Sequence, residues 1–303
     1  MKLIEFYNLI IEKGIEKDPR TSKELAKAIK NIRKETGLKH PFADTRILYG
    51  DKNTEIRTVM IGIDVGGQEL LTAYLLNEKG ANIDLVMSHH PSGRALAGLH
   101  HVMHVQTDLL RKLGLQTEVV ESLMKERIGE VARRVMPGNN ERAVDIARLL
   151  NIPFMCMHTP ADNHVAGFLQ KTFDRKKPKK AQDVLKLLKV IPEYKDGISK
   201  GAGPKLVAGK PKDKAGKVFV DMTGGTEGSK RIFARLSQAG VKTVVGMHLS
   251  EEHLKRAKAE FMNVVIAGHI ASDNLGINLL LDDAEKKHHL NIIPCSGFVR
   301  IKR

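Results

Sequence analysis

Two adjacent histidines end the stretch Leu85-Val86-Met87-Ser88-His89-His90-Pro91. The apolar run before them, Ile83 to Met87, predicts a buried strand. Pro91 donates no backbone hydrogen bond and pushes His90 toward an extended conformation. At a strand end that is turning, the alternation of side chains relaxes, and both imidazoles can aim into one cleft. Two ordinary loop histidines explain the pair equally well. A second stretch, Val264 to Asn274, again ends an apolar strand on a histidine, His269, with Asp273 four positions later. Ser272 is expected to cap a helix that begins there. A third, Pro153 to Asp162, ends a strand at His158 and adds Asp162. Neutral imidazole and carboxylate are the donors a first-row divalent metal prefers. Carboxylates also bridge pairs of metals in many hydrolytic sites.

Ser-His-His-Pro after a strand, His-Thr-x-x-Asp midway, and Gly-His-x-x-x-acid near the end together resemble the NGG-interacting-factor-three-like family. Its members are widely labelled GTP cyclohydrolase I type 2 homologues. Ile61 to Val65 resembles the family's strand before the first motif, and Asn291 to Cys295 its last strand. The similarity is weakest from Ala95 to Asn151 and from Lys171 to Lys217. Carried over residue by residue, it implies His89, His90, Asp162, His269 and Asp273 as metal ligands, with Asp162 and Asp273 as candidate bridges. Asp273 departs from the family, where Glu is usual. The implied cofactor is two divalent ions, drawn from Zn, Fe, Mn, Co or Ni. A ring-shaped homohexamer is implied as well.

The elements that must position these groups follow the apolar patterning. A helix is expected from Met1 to Glu16, and a second after the capping box Thr21-Ser22-Lys23-Glu24, ending at Gly37. Strands are expected at Ile47–Gly50, Ile56–Val65 and Ile83–Met87, with a helix from Gly67 to Lys79. Ala95 to Leu113 reads as one long helix carrying His100, His101 and His104, more readily a rim helix than a metal site, because no His-Glu-x-x-His spacing occurs. Helices at Glu121–Val135 and Asn140–Leu150 follow, then the strand Ile152–Met157. A helix is expected near Ala181–Leu188, and turns from Gly197 to Gly216. Strands at Lys217–Met222, Val241–Gly246 and 263–267, a helix from Asp273 to Lys287, and a strand from Asn291 to Val299 close the chain. The Gly-rich run Thr223 to Ser229 lacks the lysine of a P-loop and reads better as a tight turn than as a phosphate cradle. His248 follows a strand and is expected to line the pocket with His158. The expected class is α/β, and the resemblance implies two α/β domains with mixed sheets flanked by helices, the middle one inserted into the first. The expected boundaries are 1–125 plus 250–303 for the metal-site domain and 126–249 for the insertion.

Composition bounds the rest. With 42% hydrophobic residues, only 4% aromatics and no Trp, the core must be aliphatic. Cys156 and Cys295 sit in apolar runs and read as buried free thiols of a reducing compartment. No long apolar run and no signal-peptide pattern is present, so a soluble cytoplasmic protein without membrane partners is expected. Net charge is +15, of which +10 falls between Lys171 and Lys217, where fourteen Lys and one Arg meet five acids. This segment lacks interleaved aromatics, so nucleic-acid binding is expected to be at most weak and non-specific, and a solvated lysine-rich surface is preferred. No Ser/His/Asp or Cys/His constellation competes with the metal motifs, and no His-x-His motif occurs. The favoured function is a hydrolase using metal-bound water on a nucleotide or related small molecule, although no residue set reads guanine. The rival is a metal-binding regulatory or scaffold protein without turnover.

Overall fold

The structure is a computed structural model that describes residues 1–286 and 288–303. Two helices open it, α1 (Leu3–Glu16) and α2 (Ser22–Thr36). The Thr21 hydroxyl accepts from Glu24 N at 3.3 Å, the Glu24 carboxylate accepts from Thr21 N at 2.7 Å, and Gly37 ends the helix at φ 74°. The capping box and its stop are thus formed as the sequence predicts. Strands β1 (Arg46–Tyr49), β2 (Thr58–Gly62) and β3 (Leu85–Ser88) follow, with α3 (Gly67–Glu78) between the last two.

The next stretch is helical: α4 (Gly93–Ala97), a 3-10 turn at Leu99–Met103, α5 (His104–Lys112), α6 (Thr117–Val135) and α7 (Arg142–Leu149). The single helix expected from Ala95 to Leu113 is therefore three pieces. Leu99, Val102, Met103 and Val105 are all buried, and the tighter 3-10 turn brings the first of them inward together.

Strand β4 (Phe154–Cys156) leads into α8 (Thr159–Lys176), α9 (Ala181–Lys189) and α10 (Pro192–Ser199). Then come β5 (Lys205–Ala208), β6 (Lys217–Asp221), α11 (Phe233–Gln238), β7 (Val241–Gly246), α12 (Glu251–Ala259) and β8 (Asn263–Ile266). Helix α13 (His269–Glu285) and strand β9 (Asn291–Cys295) finish the chain. Lys287, where the last helix was expected to end, lies outside the described residues. Strand β5 corrects the expectation of turns alone from Gly197 to Gly216: it pairs antiparallel with β8 at the sheet edge, where a short strand flanked by glycine suffices.

The result is α/β, with two mixed sheets flanked by helices. The first has the order β1-β4-β3-β2-β9 and the second β5-β8-β7-β6; each is parallel except for one antiparallel edge strand, β1 or β5. Sheet membership crosses the expected domain boundaries. Strand β4, from the 126–249 span, pairs with β3 in the first sheet, and β8, from the 250–303 span, pairs with β7 in the second.

Helices α8 and α13 form an inner layer between the sheets. Ala161, Ile277, Leu280 and Leu281 join the core against the first sheet. Val165, Leu169, Phe173, Ala271 and Leu275 join the core against the second. The two helices meet at Gly276, where a Cβ would stand 2.4 Å from the Ala161 carbonyl oxygen. Only glycine permits that approach.

Candidate metal centre

Three parallel strand ends converge on one point between the sheets. At the end of β3, the amides of His89 and His90 donate to the carbonyls of Gly62 and Ile63, both at 2.9 Å, which fixes the turn. His89 Nδ1 donates to the Met157 carbonyl at 3.0 Å. His90 Nδ1 donates to Asp64 Oδ1 at 2.7 Å. His158 Nδ1 donates to Asp44 Oδ2 at 2.9 Å, and Asp44 also accepts from the Thr159 hydroxyl at 2.6 Å. Each acceptor fixes a tautomer and leaves Nε2 facing the centre, the outer-shell arrangement of metal-ligating histidines.

Asp273 stands in the middle and is fully buried. Its Oδ1 is 3.5 Å from His89 Nε2, and its Oδ2 is 3.5 Å from His90 Nε2 and 3.6 Å from His269 Nε2. Asp162 Oδ1 is 3.5 Å from His89 Nε2, and its Oδ2 is 3.8 Å from His158 Nε2. Neither oxygen of Asp273 has a hydrogen-bond partner, and neither does His89 Nε2. A buried carboxylate left in this way is costly unless a cation answers it. Three overlapping groups bring their donor atoms within 4.8 Å of one another: His89, His90 and His158; His90, His269 and Asp273; and His89, Asp162 and Asp273. The residues present therefore fit a divalent ion of nitrogen and oxygen preference.

The electrostatics point the same way. Burial pushes the Asp162 carboxyl up to about 8. Burial alone would also raise Asp273, but His89, His90 and His269 overcome it and hold the carboxyl well below the usual range. Burial opposes charge on His90, yet the nearby carboxylates of Asp273 and Asp64 lift it to about 9, while burial pulls His269 down to about 4. The two carboxyls are pushed in opposite directions, Asp162 up and Asp273 down, and a cation would bind there by displacing protons.

The second sheet supplies the opposite wall. The His248 ring lies over His269, with centroids 4.7 Å apart, and its Nδ1 is 3.3 Å from Glu227 Oε1. Glu227 also accepts from Ser250 N at 2.6 Å. Burial would raise the Glu227 carboxyl, but the His248 and Ser250 bonds and nearby His253 hold it at about 2. A cavity of about 60 Å³ lies here, lined by His158, Asp162, His248, His269 and Asp273 among others. The seven residues singled out in the sequence thus come together.

Two expectations change. Ser272 is not the N-cap: α13 starts earlier, from Gly268 at φ 109°, and the Ser272 hydroxyl donates to the Gly268 carbonyl at 2.6 Å. Asp273 therefore projects from a helix already formed. Cys156 is buried, but Cys295 only partly. Asp44, Asp64 and Glu227 were not singled out in the sequence, although Asp64 lies in the run Ile61 to Val65 and Glu227 in the Gly-rich run Thr223 to Ser229. The Gly-rich turn is anchored through its carbonyls, since Gln106 Nε2 donates to Thr223 at 3.2 Å and to Thr226 at 2.6 Å. It behaves as a tight turn.

No protein-family model and no curated protein matches the chain. A solved structure described as a NIF3 superfamily protein from Sphaerobacter thermophilus superimposes at TM-score 0.73 and 25% identity, covering 90% of this chain and 98% of that one. Reduced HcgD from Methanocaldococcus jannaschii superimposes at TM-score 0.53 and 16% identity, over 89% and 96%, a likeness of fold. The chain is thus a two-sheet α/β protein with a histidine–aspartate centre between its sheets. It is similar in fold to a NIF3 superfamily protein, which supports a NIF3-like assignment.

Proposed function

We propose that this chain is a metal-dependent protein of hydrolase type acting on a nucleotide or related small molecule. The observation that carries the reading is the buried, unpartnered carboxylate of Asp273 among His89, His90 and His269. His89, His90, Asp162, His269 and Asp273 would hold two divalent ions, with Asp273 shared, since its two oxygens face different histidines. When bound, such ions supply Lewis acidity and a water of lowered pKa. Asp44 and Asp64 orient His158 and His90. His248, held by Glu227, faces the cleft opposite the ligands and positions the reacting group.

A second reading is a metal-binding regulatory protein without turnover. What favours it is the size of the cleft: about 60 Å³ admits a reacting group rather than a whole nucleotide, against roughly 300–1,000 Å³ for ordinary ligand pockets. A screen of nucleotides and phosphoesters with the metal-loaded protein separates the two. Turnover abolished by chelation supports the first reading, turnover that survives metal removal excludes it, and no turnover at all favours the second. The homohexamer remains a proposal from resemblance, checked by light scattering.

A further inference from the structure

A second cavity, about 860 Å³, is lined by a later stretch of α8, from Asn163 to Lys171. Its volume falls within the usual range for small-molecule sites. The metal cleft is its neighbour, and Thr223 lines both. The Thr223 hydroxyl donates to Asn163 Oδ1 at 2.7 Å, so that bond is part of the partition. Most of the wall is apolar, with Phe168 and Phe219 presenting rings and Leu279 a branched chain. Charges at the rim answer one another: Lys286 with Asp283 at 2.7 Å, and Lys302 with Glu285 at 3.1 Å. Apart from the second oxygens of the Asp282 and Glu285 carboxylates, one polar group among the described residues of the wall is left over. His164 is 3% exposed, and its Nδ1 donates to the Pro160 carbonyl at 2.8 Å. In the neutral ring Nε2 then keeps its lone pair, and it has no hydrogen-bond partner. Asp283 Oδ2 stands 3.6 Å away, too far to bond and itself an acceptor.

We propose that this cavity binds an uncharged heteroaromatic molecule carrying one N–H donor, which His164 Nε2 accepts. The lining carries five acids and five bases, so it favours neither sign of charge on the ligand, and burying an unpaired charge would be costly. The two phenylalanines suit a flat apolar body. The site is independent of the metal reading, because no metal-ligand candidate lines this cavity.

Calorimetric titration of the full chain with indole and with 1-methylindole tests this. Indole binds once per chain, and 1-methylindole, which leaves Nε2 unpaired, binds about tenfold more weakly. His164→Phe keeps a ring and removes the acceptor, so the difference between the probes disappears. His164 is buried, so a second variant guards against misfolding. A Cβ at Gly167 meets nothing within 4 Å, and Gly167→Leu puts a branched side chain into the cavity beside His164 while favouring the helix. It abolishes binding of both probes and leaves metal content, read by elemental analysis, unchanged. Failure of indole to bind, equal affinity for the two probes, or unaltered binding in Gly167→Leu would overturn the proposal.

Discussion

Two regions of this protein are rich in histidine, and only one of them builds a centre. Around Asp273, the rings of His89, His90 and His158 are each tied at Nδ1 to an outer acceptor and turn Nε2 toward buried carboxylates. On the 3-10 turn and α5, His100 and His101 stack on each other with centroids 3.9 Å apart, and His104 is exposed. His101 Nδ1 meets the mostly exposed Glu35 at 2.7 Å. His100 Nδ1 is also unpartnered, yet no buried carboxylate stands with it. Histidine density does not make a metal site. Carboxylates brought into the interior from separate strand ends do, because only there does a cation relieve a large desolvation cost.

That contrast is open to direct attack. The largest effect is expected from His89→Ala with His90→Ala, which should strip nearly all first-row metal from the purified protein. His100→Ala with His104→Ala should leave it intact. Elemental analysis decides, and equal metal content in the two double variants would erase the distinction. Next comes the central carboxylate. Asp273→Ala should weaken metal binding severely in calorimetric titration, whereas Asp273→Glu should retain part of it; if both match the parent, Asp273 serves only the helix. Asp64→Asn should cost about 10–100-fold in metal affinity by loosening His90. The matching change in the other region, Glu35→Gln, should cost nothing.

A smaller effect is a proton count. His90 in the metal-free protein is raised from 6.5 to about 9. Its stabilisation is therefore complete below about 6.5 and is lost as the pH rises through about 9. Metal binding near neutral pH must expel that proton, so the apparent binding heat should vary with the ionisation enthalpy of the buffer. A heat independent of buffer would contradict ligation by His90. The smallest effect concerns the lysine-rich span 171–217, where any binding of nucleic acid should be weak and fade steeply with salt. Tight binding at physiological salt would show that the span is more than a solvated surface.

The donors of the centre were legible because the histidines end apolar runs and the two aspartates follow four residues after a histidine, both short-range patterns. Their supports were not. Asp44 reaches His158 across 114 positions and Asp64 reaches His90 across 26, and no local pattern encodes such pairings. Helix α8 is a different case. Ala161, Val165, Leu169 and Phe173 recur every four residues and are all buried, a signal obscured by the basic character of its second half. Strand β5 is an edge strand four residues long, and Leu206, Val207 and Ala208 make too short an apolar run to stand out among the surrounding glycines and lysines. The path by which β4 and β8 cross between halves lies in sheet order, which chain order does not fix.

The close contact of α8 and α13 bears on which ion is chosen. These helices carry Asp162 and Asp273, and Gly276 lets them touch at the Ala161 carbonyl. Ionic radius is felt as metal–oxygen distance, about 2.0–2.2 Å for zinc and about 2.3–2.6 Å for calcium. A methyl group at 276 must push the helices, and with them the carboxylates, apart. Gly276→Ala should therefore shift preference from Zn²⁺ toward Mn²⁺ and Ca²⁺ in competition dialysis, and an unchanged order would place the control elsewhere. Discrimination by ion size would then rest on a residue that touches no ion.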